Sequence, residues 1–433
     1  KKHTQTGRST AVNQRWEGFQ TGSERMKRRT PTLDKTRNAT PPHQTLAALG
    51  ENALVERIAQ WMRQGNTLDP SPKGKQPGSQ VPPWAAQTVL TGIGDDTALV
   101  QLGGKTGPRL ALTTDLLVEG THFLSSHPPR ILGAKAVEVN LSDLAAAGAW
   151  PAWILVSLGV HPGLSPEWIE ALYAGMRDAL APYACPCLGG DTVRSEGVVL
   201  NIVAGGFLAP GTEPPLRSRA RVGQSLYVTG TLGDSRAGLQ MLLRETEGVS
   251  DETGPSRTTD KKKMKRPEAA PGALHLPERD RAFLLQRHQA PRARVAAGGV
   301  IARLCPDAAM MDLSDGLACD LPRLAHASHC GFEVRLASLP LSPALRRYAT
   351  ACSVAPDQIA LAGGEDYELL FATSEPPERW CEAVAQAAGG RPLRITRIGR
   401  VTAESDNVRF VNRRGETVLP SESSFLHFSG KED

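Results

Sequence analysis

Six times along these 433 residues an apolar run meets a carboxylate set beside Gly, Ser or Thr: GIGDD (Asp95, Asp96), TTD (Asp115), NLSD (Asp143), GGDT (Asp191), DLSDG (Asp312, Asp315) and GGEDYE (Glu365, Asp366). Any one of them alone reads as an ordinary turn. Their repetition in one context constrains the fold. If such side chains converged with nothing between them, each pair at ~4 Å would cost about 4 kcal/mol at an effective dielectric near 20. A handful of pairs would then exceed a folding stability on the order of 5–15 kcal/mol. Convergence therefore requires cations. All-oxygen donors select hard ions, and carboxylates with hydroxyls suit Mg²⁺, which in turn binds phosphates. The stretch LTTDLLVEGTHF reads as a buried strand that stops at Asp115, with His122 seven residues beyond it.

Other chemistries lack their residues. There is no HExxH, no paired CxxC and no clustered His, so zinc and redox iron are poorly supported. Cys185 and Cys187 form the only close pair among seven cysteines, a composition of buried thiols rather than a disulfide framework. GGKT (103–106) invites comparison with a phosphate-binding loop. Such a loop needs a glycine at position 99, which is Leu, and a following helix; the segment instead links two strands as a hairpin turn. A dinucleotide GxGxxG after a strand is also missing. Any ATP bound here would have to be held mainly through its metal ions.

The net charge of +5 is uneven: residues 1–45 carry ten Lys/Arg against three acidic residues, +7, and the remainder sums to −2. The tail has almost no apolar periodicity and reads as disordered. A second basic run, DKKKMKRPEAAPG (260–272), reads as a solvated loop. Neither run has interleaved aromatics, so no nucleic-acid platform is expected. No apolar window approaches a membrane span and no apolar signal core is present, so the expectation is a cytoplasmic protein without a membrane partner.

Periodicity sets out the rest. GENALVERIAQWM predicts a helix with Leu54, Ile58, Trp61 and Met62 on one face. Two β-rich runs around the Gly-rich turn follow, then a helix over ILGAKAVEVNLSDLAAAG stopped by Gly148, a strand over AWILVSLGV, a helix over SPEWIEALYAGMRDALAPY and a strand over GVVLNIVAGGFLA. From about residue 213 the pattern restarts: SLYVTG as strand, DSRAGLQMLL as a helix with Asp234 as N-cap, and helices over RARVAAGGVIARL, DGLACDLPRLAHAS and PERWCEAVAQAA. Between and after these lie strands over AAMMDLS, FEVRLA and DYELLFAT and two closing strands. The expected class is α/β (α+β): an N-terminal domain, 46–212, whose mixed sheet carries helices on one face, and a C-terminal α/β domain, 213–433, with a flexible insertion at 246–280 and a loop at 66–88.

In order, GIGDDTALV, TTDLLVEGTHF, AVEVNLSDLAAAGAWP, LGGDTVRS, YVTGTLGDSRAGL, DLSDGLACDL and GGEDYELLF closely resemble the thiamine-monophosphate kinases, within the aminoimidazole-ribonucleotide synthetase-like ATP enzymes. The resemblance runs from about Gly50 to Phe428, with gaps at 66–88 and 246–280. It implies transfer of the ATP γ-phosphoryl group to thiamine monophosphate, giving thiamine diphosphate and ADP. It implies several Mg²⁺ ions held by Asp96, Thr113, Thr114, Asp115, Asp143, Asp191, Asp312 and Asp315. ATP contacts carry over to Gly190, Asp191, Arg217 and Ser314, with Tyr173 as a further nucleotide contact, and substrate contacts to His122, Glu365 and Phe425. Asp143 and Arg217 take the catalytic roles. A homodimer paired sheet against sheet through the N-terminal domain is also implied. Another ATP enzyme of the superfamily acting on a different phosphorylated or amide substrate, and a non-catalytic nucleotide-binding regulator, stay open as alternatives. The acceptor is already an ionised phosphate, so positioning and charge neutralisation suffice, and direct in-line transfer without a phosphoenzyme is expected.

Overall fold

The computed structural model describes residues 51–64, 87–104, 106–248, 276–387 and 392–420. The basic tail, the 260–272 run and Phe425 lie outside them, as do the side chains of Trp61 and Met62. In the first half, α1 (Glu51–Gln64) precedes β1 (Gln87–Thr91), β2 (Ala98–Leu102), β3 (Arg109–Val118), α2 (Pro129–Ala146), β4 (Ala149–Val160), α3 (Pro166–Leu180), β5 (Cys187–Arg194) and β6 (Val199–Leu208). The strands form one mixed sheet in the order β1-β2-β3-β6-β4-β5, antiparallel except for β4 against β5. β2 and β3 pair antiparallel as a hairpin, and Gly103 and Gly104, which follow β2, stand at positive φ.

Pleating gives the two faces of this sheet different jobs. Ala111, Leu117, Leu200, Ile202, Ala204, Ile154, Val156 and Leu158 alternate onto one face, all buried under α2 and α3. Pro129 starts α2 at its first position, and Ser165 caps α3 by accepting from Trp168 N at 3.2 Å, with Pro166 next in line. The α2 helix is buried all round, yet it carries Lys135, Glu138, Asn140, Ser142 and Asp143. Each finds a partner outside its own helix, so this one element ties the sheet to the second half of the chain.

The second half contains β7 (Ser225–Thr229), α4 (Asp234–Gly248), α5 (Glu278–Gln289), α6 (Val295–Leu304), β8 (Ala309–Asp312), α7 (Leu317–Ser328), β9 (Gly331–Arg335), α8 (Pro343–Ala351), α9 (Pro356–Ala362), β10 (Leu369–Thr373), α10 (Cys381–Ala387), β11 (Ile395–Thr402) and β12 (Val408–Val411). Its sheet runs β12-β9-β11-β7-β10-β8, with β12 against β9 its parallel pair. Leu226, Val228, Leu370 and Ala372 face a core shared with α7, α8 and α9, while Tyr227, Leu369 and Phe371 face the core of the first half. Tyr227 stacks on Phe371 at 5.4 Å, and Trp380 meets both edge-on. Among the described residues no helix is long and apolar enough to cross a membrane.

The structure corrects several sequence expectations. The β3 strand does not stop at Asp115; it continues to Val118, and only one of its faces is buried. Asp234 is the first residue of α4 rather than its cap. Its carboxylate accepts from Ser342 Oγ at 2.5 Å and from the Thr231 hydroxyl. The amides of Gly233 and Ser235 instead donate to Asp366, at 2.6 and 3.3 Å. The helix expected over PERWCEAVAQAA is broken at Trp380, which is pinned by Nε1 to the Glu375 carbonyl at 3.0 Å. The ends of the expected 246–280 insertion belong to α4 and α5, and residues 87 and 88 of the expected loop belong to β1.

Candidate functional site

Two motif loops are locked together before any ligand is considered. Glu365 N donates to the Ser314 carbonyl at 2.7 Å, Tyr367 N to the Leu313 carbonyl at 2.9 Å, and Leu313 N to the Glu368 carbonyl at 2.9 Å. Gly364 permits this approach, because a Cβ there would sit 2.6 Å from the Ser314 oxygen. DLSDG and GGEDYE thus form one wall of a cavity of about 1250 Å³. That exceeds the ~300–1,000 Å³ usual for one small ligand and leaves room for two substrates.

Carboxylates from distant segments meet on this wall. Asp96 comes from the turn before β2, Asp143 from α2 and Asp312 from the end of β8, and each offers an oxygen within 4.8 Å of the others. Arg217 holds Asp96 through Nε at 3.1 Å and also through Nη2, and its backbone N–H donates to Asp95 at 3.1 Å. Thr113 Oγ1 donates to Asp143 at 2.5 Å and Ser142 Oγ to Asp312 at 2.6 Å. Asp115 lines the same cavity from β3, with its backbone N–H on Asn140 at 3.0 Å. Asp315 lies beside Arg323 at 2.5 Å, and Asp320 accepts the amides of Asp315 and Gly316, both at 3.0 Å.

Burial and mutual repulsion act on all of these groups. Burial, then Asp115, Asp312 and Asp96, push Asp143 well above the usual carboxylate range. Burial and Asp96 do the same to Asp312. Burial, then Asp315 and Asp96, raise Asp115 to about 6, and burial with Asp96 raises Asp95 to about 6. Raised acids in a cluster of this kind are short of positive charge, and the oxygen-only donor set fits a hard divalent cation.

A second group surrounds Glu365, which stands at positive φ with Lys135 Nζ at 2.9 Å and His288 Nδ1 at 3.1 Å. Burial would raise this carboxyl, but Lys135 and His288 outweigh it and hold it well below the usual range. His122 follows β3 in a tight turn, where its Nδ1 accepts from Val118 N at 3.0 Å. A neutral ring held this way carries its hydrogen on Nε2.

The expected residues divide into two groups. Asp115, Asp143, Asp312, Asp315, Arg217, Ser314, His122 and Glu365 line the one cavity, and Asp96 and Thr113 bind its walls. Thr114 points its hydroxyl to Asn201 on the opposite sheet face, at 3.0 Å. Gly190, Asp191 and Tyr173 are not brought there. Asp191 pairs with Ser157, Ser157 with Asn201 and Asn201 with Leu116, so Asp191 shares the outer face with Leu116. Three strand spacings put it about 14 Å from β3. Tyr173, on α3, is pushed up by burial and by the Cys187 thiol of β5. Lys135, His127, His288, Arg323 and Asp320 were not anticipated. Only Lys135 left a trace in the sequence, as a cation set between Ala134 and Ala136 in the apolar stretch that opens α2.

Residues 94–208 match the family model described as AIR synthase related protein, N-terminal domain, and residues 221–412 the model of its C-terminal domain. The chain is 39% identical over 310 residues to the thiamine-monophosphate kinase of Aquifex aeolicus (strain VF5), covering 71% of this chain and 86% of that one. It is 37% identical over 344 residues to that of Escherichia coli (strain K12), covering 79% and 93%. A solved structure described as AaThiL complexed with AMPPCP and TMP superposes with a TM-score of 0.66 at 33% identity, covering 88% of this chain and 98% of that one.

Proposed function

The chain belongs to the thiamine-monophosphate kinase family, within the AIR synthase related proteins, and from that premise we propose that it transfers the γ-phosphoryl group of ATP to thiamine monophosphate, yielding ADP and thiamine diphosphate. The observation that carries this reading is the meeting of Asp96, Asp143 and Asp312 from separate segments on the wall of a cavity with room for two substrates. A thiamine-monophosphate kinase of this fold has been solved with the ATP analogue AMPPCP and TMP, which supports both substrates.

Mg²⁺ would be held by Asp96, Asp143 and Asp312 together with Asp115, Asp315 and the hydroxyl oxygen of Thr113; when bound, it neutralises charge on the polyphosphate. The protein's own part is orientation. Arg217 neutralises Asp96 and lines the cavity where phosphates would lie, and Ser314 fixes the loop that carries Glu365. His122 offers an Nε2 hydrogen and Glu365 a permanent anion to the acceptor. The attacking atom is an oxygen of the acceptor phosphate, which attacks the γ-phosphorus as the bond to the β-bridging oxygen breaks; no side chain is needed as nucleophile.

The outer face of the first sheet supports a homodimer. Leu116, Leu155, Val193 and Phe207 stand exposed on it, an apolar surface of the kind that pairs. Gly190 and Asp191 lie on the edge strand of that face, and we assign them to a site completed across the pair. Incubation of the purified chain with thiamine monophosphate, ATP and MgCl₂ tests the reading: thiamine diphosphate and ADP should form in equal amounts. ATP consumption only with some other acceptor would reject it.

A further inference from the structure

The cavity has a second end, built from different chemistry. Lys135 precedes Asp143 by eight residues on α2, about 12 Å along the helix axis, and His127 lies just before that helix. Both line the cavity with Glu365 and His288. His127 is 5% exposed, and its Nε2 has no hydrogen-bond partner among the described residues. Its bond to the Gln289 backbone therefore falls to Nδ1. A carbonyl can only accept, so the ring nitrogen that meets it carries the hydrogen, and Nε2 is left a bare, buried lone pair on a residue that lines the cavity. Burial, then Lys135 and His288, hold this ring down to about 4, so it is uncharged at neutral pH.

Lys135 is 1% exposed and meets Glu365 as an ion pair at 2.9 Å, and beyond that pair its ammonium has no partner among the described residues. An ammonium has three hydrogens to place. The cavity wall thus offers a neutral acceptor, a cationic donor and a carboxylate acceptor side by side. Leaving buried groups of this kind unmade is costly, which points to a ligand that completes them.

We propose that His127 and Lys135 read the amino-substituted edge of the acceptor's pyrimidine ring: the exocyclic amine donates to His127 Nε2, and Lys135 donates to the adjacent ring nitrogen. The assignment rests on thiamine monophosphate being the acceptor, and it makes this end of the cavity the specificity determinant for the ring, while the carboxylate end handles phosphate. A ring that carries a carbonyl and an N–H at these positions reverses the pattern and leaves both protein groups facing like partners.

The test compares kcat/KM for thiamine monophosphate with that for its 4′-oxo analogue, in the wild-type chain and in His127→Phe, which keeps the volume and loses the lone pair. Wild type should prefer the amino substrate by about tenfold or more. In His127→Phe the KM for thiamine monophosphate should rise by roughly tenfold, the preference should fall toward parity, and the KM for ATP should stay put. Equal use of both acceptors by wild type overturns the proposal without any variant, so a misfolded His127→Phe leaves it decidable. An unchanged preference in a folded His127→Phe also overturns it. A wild-type chain that turns over neither acceptor in the presence of Mg²⁺ and ATP rejects the kinase reading itself and this assignment with it.

Discussion

Gly298 of α6 lies so close to Ala145 of α2 that a Cβ at position 298 would stand 2.0 Å from the Ala145 carbonyl oxygen. The contact sits two residues from Asp143, and it joins the helix that carries this carboxylate to the half of the chain that carries Asp312. Gly298→Ala must therefore push the two halves apart at the site. A loss of about 1–3 kcal/mol is expected from overpacking, together with a fall in kcat. A thermal melt that matches wild type would show the approach to be looser than described.

Asp143→Asn separates stability from function. The carboxylate is buried among Asp96, Asp115 and Asp312, so its removal relieves repulsion in metal-free protein. We expect a melting temperature at or above that of wild type without Mg²⁺, loss of most of the melting shift that Mg²⁺ produces in wild type, and turnover lowered by two or more orders of magnitude, on the order of oxyanion-site losses. Titrating Mg²⁺ in a thermal-shift assay checks all but the last. Near-normal turnover would remove Asp143 from the site.

Glu138 predicts a pH signature that is independent of the metal ligands' occupancy. It is buried on α2, accepts from Ala293 N at 2.8 Å, and is raised from 4.5 to about 7, chiefly by burial. A raised acid binds its proton more tightly in the folded state, so its contribution is whole below about pH 4.5 and is lost as pH climbs through about 7. The loss amounts to about 3 kcal/mol at most. Glu138→Gln keeps an acceptor for Ala293 and should flatten the decline in stability between pH 5 and pH 8 in urea melts. Parallel curves for the two proteins would show that burial at Glu138 is relieved by some other means.

The exposed face of the first sheet yields a test in solution. Leu155→Glu with Val193→Glu places two carboxylates on it, and the homodimer proposed above should give way to monomer in sedimentation velocity. If Asp191 serves the partner's site, inactive Asp191→Asn and inactive Asp143→Asn chains should recover activity when mixed and allowed to exchange. A mixture as inactive as its components would return Asp191 to a structural role.

Much of the architecture was legible because it is local. GGKT between two apolar alternations reads as a hairpin, Gly148 stops the helix that begins with ILGAKAVEV, and both were read from neighbouring residues alone. The α5 helix escaped for the opposite reason. Its buried stripe is Asp280, Leu284 and His288, and two polar residues in three hide a helical face from any apolar period. Asp115 misled in the same way: a carboxylate facing inward from the middle of a strand is intelligible only with Asp143 and Asp315 nearby, and those come from other segments.

Local chemistry, written residue by residue, determined which elements form, that carboxylates flanked by Gly, Ser and Thr stand at their ends, and that such acids could gather only around cations. Tertiary structure decided which of them gather. It brought Asp96, Asp143 and Asp312 together, left Asp191 at a sheet edge, and set Lys135 and His288 against Glu365. Side-chain direction on a pleated sheet and the approach of helices through single glycines depend on contacts between residues far apart in the chain, and no local pattern encodes them.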